Sequence, residues 1–161
     1  MKRYVELFRI PNVWVLLIAC FPARVAYGMV GLSIFFKAEQ STGSIAFAGI
    51  AIGLNAAAGS FTAGIRGSIM DKYGQTWPLR IMVPGYAAMA FALNAMHSKP
   101  LMLIFAFAMG LSAPPINLSV RPLWKIVVPP DFLRTAYAMD TAIMSTAGVV
   151  GPVIATSLAL S

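Results

Sequence analysis

The sequence predicts an all-α, polytopic transmembrane helical bundle of about five spans, and two observations lead to this fold class. Of the 161 residues, 59% are hydrophobic and only 11% are charged, and the mean hydropathy is +0.79. Soluble domains carry about 25% charged residues, so this chain lacks the polar residues that a solvated surface needs. The apolar residues also form long blocks without the period-two alternation of a membrane β-barrel.

Each span is predicted from an apolar run near the ~20 residues that cross the hydrocarbon layer, bounded by polar or helix-breaking residues. The first run ends at the polar segment 37–44, and the second ends at a charged turn within residues 67–76. The tight turn 97–100 separates the third run from the fourth, and the segment 122–134, with Pro129 and Pro130, separates the fourth from the fifth. The predicted spans are residues 12–36, 45–66, 80–97, 100–120 and 137–159. They form a single transmembrane domain covering 1–161.

The positions of the 12 Lys and Arg residues predict the orientation. Lys37 and Lys99 fall on one side of the membrane, and Arg24 lies within the first span. The others fall on the opposite side: Lys2, Arg3, Arg9, Arg66, Lys72, Arg80, Arg121, Lys125 and Arg134. The positive-inside rule therefore predicts a multi-pass plasma-membrane protein with a cytoplasmic N-terminus. It also explains the net charge of +7 without a nucleic-acid partner.

The charged turn between the second and third spans carries the clearest motif. Residues 67–76 read Gly-Ser-Ile-Met-Asp-Lys-Tyr-Gly-Gln-Thr, with Gly67, Asp71, Lys72 and Gly74 as the characteristic residues. This segment resembles the signature loop of the major facilitator superfamily of membrane transporters. The resemblance implies that the acid, with its basic neighbour, engages a helix end in the other half of a transporter and latches one conformation.

Two further stretches carry the resemblance. The family usually has basic residues where this chain has Gln75 and Thr76, and Arg80 would supply the missing charge. Residues 121–140 look like the fourth-to-fifth connection of bacterial drug- and sugar-efflux-like members. The fifth span contains the Gly-rich motif that the superfamily carries there: Gly148, Gly151 and Pro152.

Together these resemblances imply the N-terminal half of an efflux-type secondary transporter of the bacterial inner membrane, truncated after the fifth span. Its partners would be the lipid bilayer, an unknown small-molecule substrate, and a missing C-terminal half or partner membrane chain. We therefore expect that the chain alone does not transport. We do not expect a cleaved signal peptide, because apolar sequence resumes at residues 25–36.

Polar residues inside the predicted spans are candidates for lining a substrate cavity: Arg24, Tyr27, Asn55, Asn117 and Asp140. A central Arg costs on the order of 3 kcal/mol to insert, so Arg24 should face the bundle interior or a wet cavity. There it either contacts an anionic substrate group, or it snorkels or pairs structurally with a neighbouring helix. Asp140 either titrates during proton-coupled transport or pairs with Arg121 or Arg134. It lies too far from Arg24 in predicted depth for the sequence to support an ion pair between those two.

The second and fourth spans show two further features. Small residues on one face of the second span predict a close helix contact, either static or sliding: Gly49, Gly53, Ala57, Ser60, Gly64 and Gly67. Pro114 and Pro115 lie inside the fourth span and predict a kink, because each removes a backbone donor.

Several function classes lack their characteristic residues in the sequence. There is no phosphate-binding Gly-rich loop followed by Lys, no His-Glu-x-x-His, and no Cys or His cluster. We therefore predict no enzyme activity, cofactor or metal. The alternatives to a transporter are a non-transporting membrane scaffold, a relic fragment and, with less support, a membrane-embedded enzyme.

Overall fold

A computed structural model describes residues 2–160, and all regular secondary structure in this range is helical. The helices are α1 (Lys2–Phe8), α2 (Val13–Thr42), α3 (Ile45–Tyr73), α4 (Thr76–Ala95), α5 (Lys99–Ser112), α6 (Ile116–Val127) and α7 (Leu133–Ala159), with a 3₁₀ turn at Pro130–Phe132. The predicted all-α class is confirmed.

Four segments of the described chain are long and apolar enough to cross a membrane: Val13–Thr42, Ile45–Tyr73, Lys99–Val127 and Pro130–Ala159. The chain is thus a multi-pass membrane protein. Helix α4, which corresponds to the predicted third span, is not among the four. Its 20 residues include Arg80, Pro84 and Tyr86, which lower its hydropathy, so a fifth span stays a prediction.

The chain divides into two compact units. The terminal unit contains the residues up to Met29 and those from Ile116 onward, and the central unit is Val30–Pro115. The terminal unit has its own buried apolar core: Leu7, Val13, Leu17, Val120, Trp124, Val128 and Ala136. The central unit has another: Ile34, Ala38, Ala48, Ala51, Leu93, Met102, Ala106 and Met109.

Helix boundaries differ from the predictions at several places, and α2 continues from the predicted end of the first span at residue 36 to Thr42. Helix α3 continues beyond residue 66 to Tyr73, so that Asp71 and Lys72 are helical, and Gly74 ends it with φ = 74°. A positive φ of this size favours glycine. Helix α6 continues beyond the predicted end of the fourth span at residue 120, through Pro122, to Val127. The prediction that residues 122–134 form a non-helical connection was therefore wrong for most of that segment.

The continuation of α6 past Pro122 has a packing explanation. A proline inside a helix removes one hydrogen bond and normally ends the helix. Here Val120 and Trp124, on either side of Pro122, are both buried in the terminal core. Burial of these two side chains outweighs the lost hydrogen bond. By contrast, Pro114 and Pro115 do interrupt the helix, because α5 ends at Ser112 and α6 begins at Ile116. The predicted kink is therefore confirmed as a break.

Helices α3 and α5 approach each other closely in the central unit. A Cβ atom added to Gly110 would lie 2.2 Å from the carbonyl oxygen of Asn55 and 2.8 Å from Cβ of Ala58. Any larger residue must push the two backbones apart. The small-residue face predicted on α3 is not the face used here, since no atom of another described helix lies within 4 Å of a Cβ added to Gly49, Gly53 or Gly64.

We predict that Gly110→Ala lowers the free energy of unfolding by about 1–3 kcal/mol, because the added methyl group overpacks the α3–α5 contact. Denaturant unfolding in detergent micelles, followed by circular dichroism, measures this. The matched control is Gly53→Ala, which has open space and gains helix propensity, and should be neutral or stabilising by up to about 1 kcal/mol. Equal effects in both variants would disprove the close contact.

Candidate functional site

The terminal unit contains a buried ion pair between two membrane-spanning segments. Arg24 on α2 places Nη2 2.7 Å from Oδ1 of Asp140 on α7, and its Nη1 donates to the Asp140 backbone carbonyl at 3.3 Å. Both residues are 5% exposed. In hydrocarbon, two opposite charges placed at hydrogen-bonding distance remove most of the penalty that either would carry alone.

Two glycines let the helices that carry this pair come into backbone contact. A Cβ atom added to Gly151 would lie 2.8 Å from the carbonyl oxygen of Val25 and 3.0 Å from the Cα of Gly28. A Cβ added to Gly28 would lie 3.1 Å from the carbonyl oxygen of Ala147. Gly151 was predicted as part of the fifth-span motif, and its tight contact gives that glycine a structural reason.

The same register explains how Arg24 reaches Asp140. Gly28 on α2 packs beside residues 147–151 of α7. The backbone of Arg24, one turn before Gly28, is therefore level with a point on α7 roughly one to two turns after Asp140. Side chains on a helix tilt toward its N-terminus, which is the direction Arg24 must extend. The expectation that the two lie too far apart to pair was wrong, because it compared backbone depths and ignored the length of the arginine. The predicted pairing of Asp140 with Arg121 or Arg134 was also wrong.

Of the other predicted cavity residues, Tyr27 and Asn117 lie in the terminal unit and Asn55 lies in the central unit. Tyr27 lies on α2 and is 41% exposed, and Asn117 is exposed on α6. Asn55 belongs to the central unit, where its Nδ2 donates to the carbonyl oxygen of Ala106 at 2.8 Å. In the fifth-span motif, Pro152 lies inside α7, and Gly148 has open space around it.

The predicted latch residues lie around the end of α3. Asp71, Lys72, Gly74 and Arg80 are all exposed, and the ammonium of Lys72 lies 5.3 Å from the centroid of the Tyr73 ring. Gly67 is half-buried, one turn before Asp71. The loop thus presents one carboxylate and two cations at its surface. Its role as a latch stays a prediction.

Arg66 is the polar residue that the sequence reasoning misplaced. It was assigned to the cytoplasmic edge, yet its side chain is buried inside the central unit. Nη1 donates to the carbonyl oxygens of Gly110 (3.2 Å) and Ala113, and Nη2 donates to that of Gly59. The last carbonyls of a helix have no partner within it. Arg66 therefore caps α5 at the break before Pro114.

One sequence signal could have identified this cap. Two consecutive prolines in a span predict unpaired carbonyls in the turn before them, and those carbonyls need a donor from another helix. Arg66 is a buried cation on α3, whose neighbour α5 carries the break. Thr62 supports the same seam, since its hydroxyl donates to the carbonyls of Ala58 (2.8 Å) and Leu111 (3.3 Å).

Among the described residues, no three His, Cys, Asp or Glu side chains are placed to hold a metal ion. The arrangement in the terminal unit offers different chemistry. It holds a carboxylate and a guanidinium together between two helices, and both groups are buried.

We predict that Arg24→Leu lowers the free energy of unfolding by about 3–5 kcal/mol, because it leaves the Asp140 carboxylate buried without a partner. The double variant Arg24→Leu with Asp140→Leu should recover most of this loss, since neither charge then remains. Unfolding in detergent micelles gives both values. The control is Arg134→Gln, an exposed cation, which should change stability by less than about 0.5 kcal/mol. A double variant as unstable as the sum of its singles would contradict the pairing.

We also predict that Arg66→Met lowers the free energy of unfolding by at least about 2 kcal/mol, because three carbonyl oxygens lose a charged donor. Lys72→Met, which removes an exposed cation from the same helix, should change it by less than about 0.5 kcal/mol. The same unfolding assay compares them. If the two substitutions have the same effect, Arg66 does not cap α5.

Comparison with known proteins identifies the type of protein to which this chain is related. No protein-family model and no solved structure matches it. An uncharacterised MFS-type transporter of Sinorhizobium fredii, y4rN, is 30% identical over 166 aligned positions. The alignment covers 96% of this chain, whereas the chain spans only 40% of the relative's length. The chain is a distant homologue of MFS-type transporters. This is the major facilitator superfamily, and residues 67–76 of the chain resemble its signature loop.

Proposed function

We propose that this chain is part of a secondary active transporter that moves a small molecule across the plasma membrane by alternating access, as an efflux-type permease. The observation that carries this proposal is the match to an MFS-type transporter along nearly the entire chain. In alternating access, two bundles rock around a site near the bilayer midplane. The greater part of the relative lies outside the matched region. A second bundle, on this chain's natural continuation or on a partner chain, would complete the cavity.

The Arg24–Asp140 pair is the proposed switch within this half. Both groups are sealed from solvent in the described conformation, so substrate reaches them only when α2 and α7 separate. Protonation of Asp140 would release Arg24 to bind an anionic group of the substrate. Reformation of the pair would expel that group. This cycle links proton binding to substrate binding through one ion pair, and Tyr27 on the exposed side of α2 would line the path.

The loop after α3 is the proposed latch. Asp71 is exposed at the end of a helix, two residues before the exposed Tyr73, where a partner helix can reach it. By the positive-inside rule this loop and the N-terminus face the cytoplasm, and the membrane would be the bacterial inner membrane. Engagement of Asp71 by a helix N-terminus would stabilise one conformation, since negative charge is favourable there.

The second candidate is a membrane scaffold that does not transport. The face of α3 that carries Gly49, Gly53 and Gly64 favours it, because that face has open space within the described chain and admits another helix closely. A scaffold would need neither the Arg24–Asp140 switch nor the Asp71 latch. Transport activity and its dependence on these residues therefore separate the two functions.

The test uses a chimera in which this chain replaces the matched region of the Sinorhizobium relative. The relative then supplies the remainder of the transporter. Efflux of a panel of fluorescent dyes and organic anions is measured in a strain without its own major efflux pumps. We expect the chimera to lower accumulation of at least one compound. Asp140→Asn and Arg24→Ala should each reduce the efflux rate at least tenfold, because either substitution removes the switch.

The controls separate loss of function from loss of folding. Arg134→Gln should retain the rate of the unmodified chimera, and membrane levels of each variant are compared by immunoblot. Unchanged efflux in both Asp140→Asn and Arg24→Ala would remove the pair from the mechanism. A chimera that is inserted but inactive on compounds that the intact relative exports would favour the scaffold.

A further inference from the structure

A basic pocket lies between α6 and α7, within the terminal unit and apart from the buried ion pair. It is an open depression of about 430 Å³. Its lining consists of Leu118, Arg121, Pro122, Lys125 and Tyr137. The lining therefore combines two cations, a phenol and two apolar side chains. We call it the basic pocket below.

The two cations of the basic pocket share one face of α6. Arg121 and Lys125 are four residues apart, a spacing that places side chains beside each other on a helix. Both are exposed, and neither has a carboxylate partner within the described chain. Like charges held side by side repel each other, and an anion bound between them would relieve this repulsion. No acid lines the pocket.

Chain position places the basic pocket at the membrane boundary. Arg121 and Lys125 lie in the last turns of the candidate span Lys99–Val127, and Tyr137 lies near the start of Pro130–Ala159. Beside the cations, Leu118 is 58% and Ile126 is 82% exposed. Apolar side chains exposed next to cations and a tyrosine are typical of the layer in which lipid headgroups meet acyl chains.

We propose that the basic pocket binds the headgroup phosphate of an anionic phospholipid. Arg121 and Lys125 bind the phosphate, and the phenol of Tyr137 donates a hydrogen bond to it. Leu118 and Pro122 contact the glycerol and the first carbons of the acyl chains. Phosphate chemistry accounts for the cations, and the apolar part of the lining favours a lipid over free phosphate. Bound lipid would hold the amphipathic helix α6 against α7.

The test uses the full chain purified in detergent and native mass spectrometry. Phosphatidylglycerol and phosphatidylcholine with identical acyl chains are added in separate titrations, and the fraction of protein with bound lipid is measured. We expect preferential retention of phosphatidylglycerol. Arg121→Gln and Lys125→Gln should each weaken its binding about fivefold, and the double variant more than tenfold.

The control variant separates binding at the basic pocket from a general effect of net charge. Arg80→Gln removes the same charge from α4 and should change binding less than twofold, so an equal loss would show that only net charge matters and would overturn the site. Equal retention of both lipids would also overturn it. Displacement of phosphatidylglycerol by millimolar inorganic phosphate would assign the pocket to free phosphate instead. Unfolding of each variant in the same detergent should be unchanged, since both cations are exposed.

Discussion

Hydrocarbon supplies no hydrogen bonds, and this constraint determines where the polar groups of this chain are placed. Each buried cation of the described spans is matched by a specific acceptor set. Arg24 meets the carboxylate and backbone carbonyl of Asp140, and Arg66 meets the carbonyls that end α5. The two solutions differ in kind. The first joins two formal charges, whereas the second joins a charge to fixed backbone dipoles.

That difference separates a candidate switch from a structural support. The Arg66 contact repairs a helix that Pro114 and Pro115 interrupt, and no physiological change in pH removes a backbone carbonyl. The Arg24–Asp140 contact joins two side chains on different helices, and the proposed mechanism opens and re-forms it. Of these two contacts, only the one between Arg24 and Asp140 is therefore part of the proposed switch.

The sequence was sufficient to predict the class, the spans around α2, α3 and α7, the turn at Gly74 and the break at Pro114, because composition and helix breakers act locally. It failed where packing decides. Pro122 stays helical because its neighbours Val120 and Trp124 are buried in a core that only the folded chain assembles. Arg24 and Asp140 are 116 residues apart in the chain, and their pairing depends on a helix register that no local pattern encodes.

The glycines at the helix contacts also show that packing is not encoded in a local sequence pattern. The regular small-residue face of α3 was the visible pattern, yet the backbone contacts within each unit are made by isolated glycines at positions 28, 110 and 151. In each case the partner is a backbone atom of another helix, so the close approach is a property of the pair and not of either sequence alone. The regular small-residue face of α3 has no helix packed against Gly49, Gly53 or Gly64 within the described chain. The MFS-type relative is much longer than this chain. In the proposed transporter, the second bundle packs against that face of α3, whereas in the proposed scaffold another membrane protein packs there.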